Sequence, residues 1–289
     1  MRKYQLITDA TADLAPKALN EIPELEIIPM EVILDGEVRI YGPGGDLSVE
    51  EFYEALRQGK YGSTSQINQN TYMQYFEKYL KRGQDILYLC LSTGLSATYQ
   101  NACICANELK EKYPQRSIKC IDSLCACAGE GLFVYDAAKR WQDGACLEEL
   151  FDWMIKRRLN VCHWFTVDTM EFLKKGGRVN AAAAAVGTIL QIKPLLRIDE
   201  DGRLVLAGKP RGRRQAQEEK IRCLKESWNP SLGRTIMIAH GDCYEEAAAL
   251  KEEIEAQFVE ADCMIAPVGP IIGMHTGPGM VACCFWGTR

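Results

Sequence analysis

The chain has 289 residues, 47% of them hydrophobic, and a formal net charge of −5. That is enough apolar material for a sizeable core, and the length suits two α/β domains of ordinary size. The acidic balance argues against a nucleic-acid-binding protein, and no apolar run reaches the roughly 20 residues that a membrane span needs. The amino terminus reaches Asp9 too soon for a secretory signal. We therefore expect a cytoplasmic protein with no nucleic-acid partner and no integral membrane association.

The chain contains 13 cysteines, an odd number, and they are scattered along it. Their close pairs lack the two-residue spacer of a zinc knuckle: Cys103/Cys105, Cys125/Cys127 and Cys283/Cys284. They lie in apolar surroundings, where a free cysteine behaves as a small hydrophobe. The pattern predicts structural thiols in a reducing compartment, with neither disulfides nor metal ligands.

The first 60 residues predict two strands and two helices. Residues 4–8 and 25–34 are apolar runs typical of strands. Asp13 is expected to cap a helix that carries Pro16 in its first turn. A second helix is predicted after Ser48, which forms an S-x-x-E capping box with the residue three positions later.

The segment that follows predicts a parallel sheet. Residues 86–91 form an unbroken apolar run of the kind buried inside such a sheet, a helical stretch extends from about 96 to 113, and residues 118–121 form the next strand. Strand, helix and strand in short alternation indicate a doubly wound α/β layer.

The second half also alternates. Residues 161–167 predict a strand, residues 195–198 and 204–207 a hairpin with an Asp-Gly turn, and residues 235–240 and 263–267 two strands that flank a helix. We therefore predict two α/β domains, residues 1–157 with a mainly parallel sheet and residues 158–289.

Two hydroxyl-rich segments are candidates for binding an anion. Thr64 lies in the run Gly-Ser-Thr-Ser-Gln at residues 62–66, ahead of a helix-like stretch, where such residues serve either as simple N-caps or as an anion cradle. Ser96 lies in Leu-Ser-Thr-Gly-Leu-Ser-Ala-Thr-Tyr at residues 91–99, after the best strand. This places it at the carboxyl edge of the sheet, where open α/β folds bind ligands. The segment lacks the G-x-S-x-G of a nucleophile elbow.

Three further features are weaker indications of a binding site when each is taken alone. Arg178 follows a Gly-Gly pair, His275 stands in a Gly- and Pro-rich loop, and Arg211 belongs to the basic run of residues 209–214. Each has an ordinary reading, as a solvated arginine, a structural histidine or a solvated loop. The basic run also suits docking of an acidic partner.

Taken together, in this order and spacing, these segments resemble the DegV family of bacterial fatty-acid-binding proteins. The resemblance spans essentially the whole chain and rests on Thr-Asp-Ala-Thr-Ala-Asp at 8–13, Thr-Ser-Gln at 64–66, Leu-Ser-Thr-Gly-Leu-Ser-Ala-Thr-Tyr-Gln at 91–100, residues 168–178, Lys-Pro at 193–194 and His-Thr-Gly-Pro-Gly at 275–279. The chain departs from the family pattern at Ala10, Ile67 and Ala97, where Ser, Pro and Gly are usual.

The resemblance implies a carrier of two α/β domains that buries one long-chain fatty acid in a site between them. It implies that Thr64 and Ser96 hydrogen-bond the carboxyl group, and that Arg178, Arg211 and His275 lie near the head group or at a rim facing a partner. Some members of the family serve as the binding subunit of a bacterial fatty acid kinase, so a separate catalytic subunit is the expected partner. No P-loop motif occurs in the chain, which favours a carrier without cofactor or catalytic residues of its own.

Two alternatives stay open. The first is a hydrolase that uses Ser96 or Thr64 as nucleophile and His275 as base, although no elbow motif or orienting acid is evident. The second is a regulatory protein that senses lipid without passing it on.

Overall fold

The computed structural model describes residues 2–179 and 191–289. Its strands are β1 (Tyr4–Asp9), β2 (Glu26–Ile28), β3 (Met30–Leu34), β4 (Glu37–Tyr41), β5 (Gly62–Thr64), β6 (Asp85–Cys90), β7 (Ile118–Asp122), β8 (Val161–Thr166), β9 (Leu195–Ile198), β10 (Leu204–Gly208), β11 (Thr235–His240), β12 (Asp262–Pro267) and β13 (Val281–Trp286). Its helices are α1 (Pro16–Glu21), α2 (Val49–Arg57), α3 (Gln69–Leu80), α4 (Thr98–Lys112), α5 (Cys127–Gln142), α6 (Leu147–Arg157), α7 (Glu171–Lys175), α8 (Gly212–Ser227), α9 (Tyr244–Gln257) and α10 (Pro270–Thr276). A 3₁₀ turn at Arg158–Asn160 follows α6.

The N-terminal sheet has the strand order β2-β1-β6-β7, and all its pairings are parallel. This confirms the predicted mainly parallel α/β layer and the strands at 4–8, 86–91 and 118–121. β1 and β6 are buried on both faces, as the unbroken apolar run at residues 86–91 predicts for β6.

The C-terminal sheet has the order β10-β9-β8-β13-β11-β12 and mixed pairing. β11 and β12 are parallel, and the other neighbours are antiparallel. The predicted 195–207 hairpin is confirmed, with Gly202 at φ 73° in its turn. The central strand β13 was not predicted, although its sequence is apolar throughout.

A small antiparallel sheet, β4-β3-β5, corrects the single strand predicted over residues 25–34. Pro29 divides that run: β2 joins the N-terminal sheet and β3 the small sheet. Proline lacks the N–H that a ladder would use, so it marks the point where the chain changes partners.

The capping predictions had mixed outcomes. The Ser48–Glu51 capping box is confirmed. The expected Asp13 cap is wrong, because α1 begins after Ala15 without a side-chain cap, with Pro16 in its first turn as predicted. Asp13 instead accepts a hydrogen bond of 2.9 Å from the backbone N–H of Gly269.

Helix α5 joins the two halves. It packs against β1 of the N-terminal sheet and against β8, β11 and β13 of the C-terminal sheet. One continuous hydrophobic cluster therefore contains Leu6 and Leu89 from one sheet and Phe165 and Met237 from the other. The predicted domain limits, 1–157 and 158–289, stay a prediction.

Candidate functional site

A cavity of about 140 Å³ lies between the two halves of the molecule. On the same measure one water-sized group takes about 10–15 Å³, so the cavity has room for about ten such groups in this state. Its lining comes from the small sheet, the C-terminal sheet, the loop after β6 and the helices α5, α7 and α10 with their flanking residues. The lining residues are Met30, Thr64, Ser65, Gln66, Leu91, Leu95, Ser96, Ala126, Cys127, His163, Phe165, Leu173, Arg178, Ile198, Leu204, Ile271, Ile272, His275, Thr276, Met280, Ala282 and Cys284. No carboxylate of the described residues is among them.

Ser96 is positioned by the loop between β6 and α4. The hydroxyl of Ser92, buried at the end of β6, donates to the carbonyl of Gly202 at 2.8 Å and holds this loop against the β9–β10 turn. The close approach requires glycine at position 94, because a Cβ there would lie 2.6 Å from the carbonyl oxygen of Gly202. The Ser96 hydroxyl lies 2.8 Å from that of Thr98 at the start of α4. The Ser96 hydroxyl thus lies at the cavity, beyond the carboxyl edge of the parallel sheet, as its place in the sequence predicts.

Thr64 reaches the cavity in a different way from the one predicted. Residues 62–64 form β5, paired antiparallel with β3, and the next helix has its own cap at Asn68. The hydroxyl-rich run is therefore an edge strand and not the N-terminus of a helix. Thr64 Oγ1 lies 3.0 Å from Nε2 of His275, which stands at the end of α10.

Arg178 completes this group. Its Nε donates to the carbonyl of Leu95 at 3.1 Å, and its Nη1 donates to that of Gly176, so it ties the end of α7 to the loop that carries Ser96. Gly176 packs against the imidazole of His275, and a Cβ there would lie 2.2 Å from Nδ1. We call Thr64, Ser96, Arg178 and His275 the polar corner of the cavity.

The polar corner is rich in hydrogen-bond donors and carries the positive charge of Arg178. Burial, and secondarily the Arg178 charge, lowers the pKa of His275 to about 4. The ring is therefore neutral at pH 7. Its Nδ1 is buried and has no hydrogen-bond partner among the described residues. Such a corner suits an anionic group that supplies acceptors and does not need a protonated histidine.

The rest of the wall is mainly apolar, and its polar side chains are Ser65, Gln66, Thr276 and the buried His163 of β8. His163 belongs to the C-terminal sheet. Its Nε2 lies 3.4 Å from the N–H of Ala126 and its Nδ1 lies 3.2 Å from the carbonyl of Val161. These partners require a neutral ring protonated on Nδ1, and burial accordingly lowers the pKa of His163 well below its usual value. Both ring nitrogens face backbone groups, so this side chain adds little polarity to the cavity.

The chain's relatives identify its family. The DegV family model, described as an uncharacterised protein, matches residues 3–287. A DegV domain-containing protein of Clostridium perfringens is 39% identical over 288 residues, which cover 99% of this chain and 98% of the relative. The chain belongs to the DegV family.

Solved DegV structures are similar to it over their whole length. A DegV family protein from Thermus thermophilus described for fatty acid binding has a TM-score of 0.85 and 28% identity, covering 99% of this chain and 100% of its own. The Fatty Acid Kinase (Fak) B3 protein of Streptococcus pneumoniae, loaded with linoleic acid, has a TM-score of 0.86 with 99% coverage of both chains. Its identity is 20%, so this second likeness concerns the fold alone.

Of the five residues proposed for this DegV chain, four meet at the cavity and one does not line it. Arg211 is exposed, forms an isolated bridge with Ile192 and precedes α8. The predicted basic loop is also different from expectation, because Arg213 and Arg214 lie in the first turn of α8. They form ion pairs there with Glu246 and Glu218 respectively.

Several lining residues were missed from the sequence. Ser65 and Gln66 adjoin Thr64, and Thr276 adjoins His275, so all three stood in segments already singled out, whereas Cys127 and His163 gave no signal. Among residues 2–179 and 191–289, no cluster of His, Cys, Asp and Glu is arranged to hold a metal ion. Across the same residues, every helix is too short or too polar to cross a membrane.

Behind the cavity wall lies an acid cluster, formed by Asp9, Thr11, Asp13 and Glu130. Thr11 Oγ1 lies 2.5 Å from an oxygen of Asp9 and 2.9 Å from one of Glu130. A hydroxyl has one proton to donate, so its contacts with both carboxyl groups require a proton on one of them. Burial raises the pKa of Glu130 well above its usual value, and raises that of Asp13 to about 7. The acid cluster therefore holds protons at neutral pH.

Proposed function

We propose that this chain binds one long-chain fatty acid, with the tail along the apolar wall and the carboxylate at the polar corner. The observation that carries the proposal is a mainly apolar cavity whose polar side chains include a corner of donors and no carboxylate. The fatty-acid-binding function described for the Thermus thermophilus relative supports it. Each methylene removed from water contributes about 0.8 kcal/mol, so a tail of a dozen supplies roughly 10 kcal/mol before costs.

The head group is proposed to accept hydrogen bonds from Thr64 and Ser96, with Arg178 nearby. A neutral His275 protonated on Nε2 donates to Thr64 Oγ1 at 3.0 Å. That contact frees the single hydroxyl proton of Thr64 for the carboxylate. His275 thus orients a donor and takes no charge itself. Arg211, which is exposed, is proposed to act at a surface that meets a partner.

The first experiment is organic extraction of the purified protein followed by mass spectrometry. We expect roughly one equivalent of long-chain fatty acid per chain, because a deeply buried tail leaves slowly. A delipidated sample should regain one equivalent on incubation with a long-chain fatty acid, and the methyl ester of the same acid should bind more weakly. A protein that stays free of lipid in both experiments would contradict the proposal.

We further propose that the bound carboxyl group is presented to a separate ATP-using kinase subunit that forms an acyl phosphate. The fold shared with Fak B3 supports this partner class. The test combines the loaded protein, ATP and a bacterial fatty acid kinase catalytic subunit, with acyl phosphate trapped as the hydroxamate. Product that requires both proteins supports a kinase subunit. Lipid binding without turnover would favour the lipid-sensing regulator.

One contact favours the hydrolase alternative enough to test it. Thr64 and His275 are within nucleophile–base distance at 3.0 Å. Against this function, His275 Nδ1 has no partner among the described residues, so no carboxylate orients the ring, and its low pKa makes it a weak base. Hydrolysis of a long-chain p-nitrophenyl ester, lost in Thr64→Val, would establish the alternative. We expect no such activity above background.

A further inference from the structure

A small pocket lies on the face of the C-terminal sheet that α8 covers, between α8, α9 and the adjoining ends of β8 and β13. Its volume is about 20 Å³, and its lining is mainly charged and polar. Val281 of β13 and its partner Thr166 of β8 line this pocket, whereas the next residues along, Ala282 and Phe165, line the larger cavity. Successive side chains of a strand point to opposite faces, so the two sites lie on opposite sides of one sheet. We call the smaller one the lysine pocket, after Lys220.

Lys220 contributes a buried positive charge to the lysine pocket. The residue is 3% exposed, and its Nζ donates to the hydroxyl of Thr166 at 3.0 Å. Within residues 2–179 and 191–289 that hydroxyl is its single hydrogen-bond partner, and no carboxylate lies within ion-pairing distance of its Nζ. An ammonium group has three N–H donors, so two remain available. Burial lowers the pKa of Lys220 to about 8, so most molecules still carry this charge at pH 7.

The other charged side chains of the lysine pocket are already paired with one another. Nζ of Lys193 lies 2.5 Å from Asp168, and Nη1 of Arg213 lies 2.5 Å from Glu246. Nη2 of Arg213 also approaches Asp168, at 3.9 Å. Among the described residues that line the pocket, three cations therefore face two carboxylates, and the charge left over is that of Lys220.

The free thiols around Lys220 do not supply the missing negative charge. Burial raises the pKa of Cys223 to about 11 and that of Cys243 to about 12, and it raises the pKa of Cys283 well above its usual value. All three thiols are therefore neutral at pH 7. A buried cation without a counter-ion is unfavourable, because no ion pair offsets the cost of removing it from water.

We propose that the lysine pocket binds one chloride ion, held by the free N–H donors of Lys220. The hydroxyl of Thr166 accepts its hydrogen bond from Lys220, so its own proton is available to the same ion. The volume selects the class of anion. One water-sized group takes about 10–15 Å³, so 20 Å³ admits a monatomic anion and excludes phosphate or sulfate, in which four oxygens surround a central atom. The proposal does not depend on the proposed lipid function.

The first test is urea unfolding of the protein in sodium chloride and in sodium gluconate at equal ionic strength. Gluconate is too large for the pocket, so it screens charges without occupying the site. A ligand that binds only the folded state stabilises it. At a chloride concentration about ten times the dissociation constant, the unfolding equilibrium constant should fall about tenfold. Sodium bromide should act as sodium chloride does.

Lys220→Met distinguishes the site from general effects of salt. Methionine has a similar length and no charge, and an apolar replacement of a buried charge generally keeps the fold. The difference between chloride and gluconate should disappear in this variant. Lys225→Met, at an exposed position of the same helix, is the matched control and should keep the difference.

Chloride NMR measures binding directly and requires no variant. The chloride signal should broaden in the presence of the parent protein, and bromide should reverse the excess broadening by competition. Anomalous diffraction from crystals grown in sodium bromide should locate the ion beside Nζ of Lys220. Equal stability in both salts with no reversible broadening would overturn the proposal and leave water in the pocket. A chloride effect that Lys220→Met retains would overturn it as well, because the ion would then bind elsewhere.

Discussion

The polar corner and the acid cluster both gather polar side chains at the junction of the two halves, yet they differ in kind. The side chains of the polar corner are half-buried, and those of the acid cluster are buried. The polar corner opens onto a cavity, contains donors and a guanidinium, and gives His275 Nδ1 no partner within residues 2–179 and 191–289. The acid cluster contains carboxyl groups that hydrogen-bond to Thr11, Tyr88 and backbone, and none of them lines the cavity. The first is arranged to receive an anion. The second keeps protons on buried carboxyl groups, and two of its oxygens, Asp13 Oδ2 and Glu130 Oε1, have no hydrogen-bond partner among the described residues.

The same burial therefore has opposite consequences for stability in the two regions. A buried carboxyl group favours its neutral, protonated form, and a buried imidazole favours its neutral, deprotonated form. Acidification should stabilise the acid cluster and destabilise the polar corner. Substitutions that replace one titratable side chain at a time separate these two effects of pH on stability.

The largest effect is expected from Asp13→Asn. Folding raises the pKa of Asp13 from 3.8 to about 7. The protonated carboxyl group therefore contributes stability to the fold that is fully present below about pH 4 and is lost as pH rises through 7. Asn keeps the acceptor for Gly269 and tolerates the φ of 39°. The free energy of unfolding of the variant, relative to the parent, should rise by on the order of 4 kcal/mol between pH 4 and pH 7.

Urea unfolding across this pH range measures the difference. Asp46→Asn is a control for an exposed aspartate whose pKa is lowered by hydrogen bonds from the backbone of Ile40 and from Arg39. It should not reproduce the rise. A relative stability of Asp13→Asn that is flat with pH would mean that Asp13 is ionised in the fold.

The opposite slope is expected from His275→Gln in the lipid-free protein. The pKa of His275 falls from 6.5 to about 4 on folding, so its stabilising contribution is present above pH 6.5 and is lost as pH falls towards 4. Relative to the variant, the parent should lose roughly 3 kcal/mol over that window. NMR titration of the imidazole is the direct measurement, and a midpoint near 6.5 would contradict the assignment.

A smaller effect is expected from removing one hydroxyl of the polar corner. Thr64→Val and Ser96→Ala should each weaken fatty-acid binding by about 1–3 kcal/mol, because a buried carboxylate loses a donor. Titration calorimetry with delipidated protein measures the change. Ser63→Ala, an exposed neighbour on β5, is the matched control and should bind as the parent does. Parent-like affinity in either variant would remove that hydroxyl from the proposed site.

The smallest effect is expected outside both regions, at the start of α8. Reversing the charges of Arg211 and Arg214 should leave fatty-acid binding intact and slow acyl-phosphate formation by an added kinase subunit several-fold at low salt. The difference should shrink as ionic strength rises. Arg222→Glu, on the same helix, is the control. Equal turnover at low salt would place the docking surface elsewhere.

The sequence predicted the secondary structure of the fold more completely than it predicted the residues of the cavity. Helices and strands with strong local patterns, such as β6, α4 and the β9–β10 hairpin, were predicted close to their actual limits. The edge strand β5 was not, because its hydroxyl-rich sequence has no strand pattern and it pairs with a strand about 30 residues earlier. Ser96 was found from its place after a parallel strand, but nothing local indicated that Cys127 or His163 would line the same cavity.

The sequence by itself determined the alternation of elements, the parallel layer and the family, because periodicity, turn residues and motif order are properties of neighbouring positions. Only the tertiary structure decided that Thr64 meets His275 across 211 positions, that Arg178 ties its loop to Leu95, and that β13 enters the middle of the second sheet. Asp13 is a second example. Its local sequence suggested a helix cap, but its carboxyl group instead accepts a hydrogen bond from the backbone N–H of Gly269, 256 positions away. The reason is physical. Such partners are set by which groups become buried together, because each buried polar group requires a hydrogen bond. Burial is defined only once the chain has folded, so the local sequence does not contain this information.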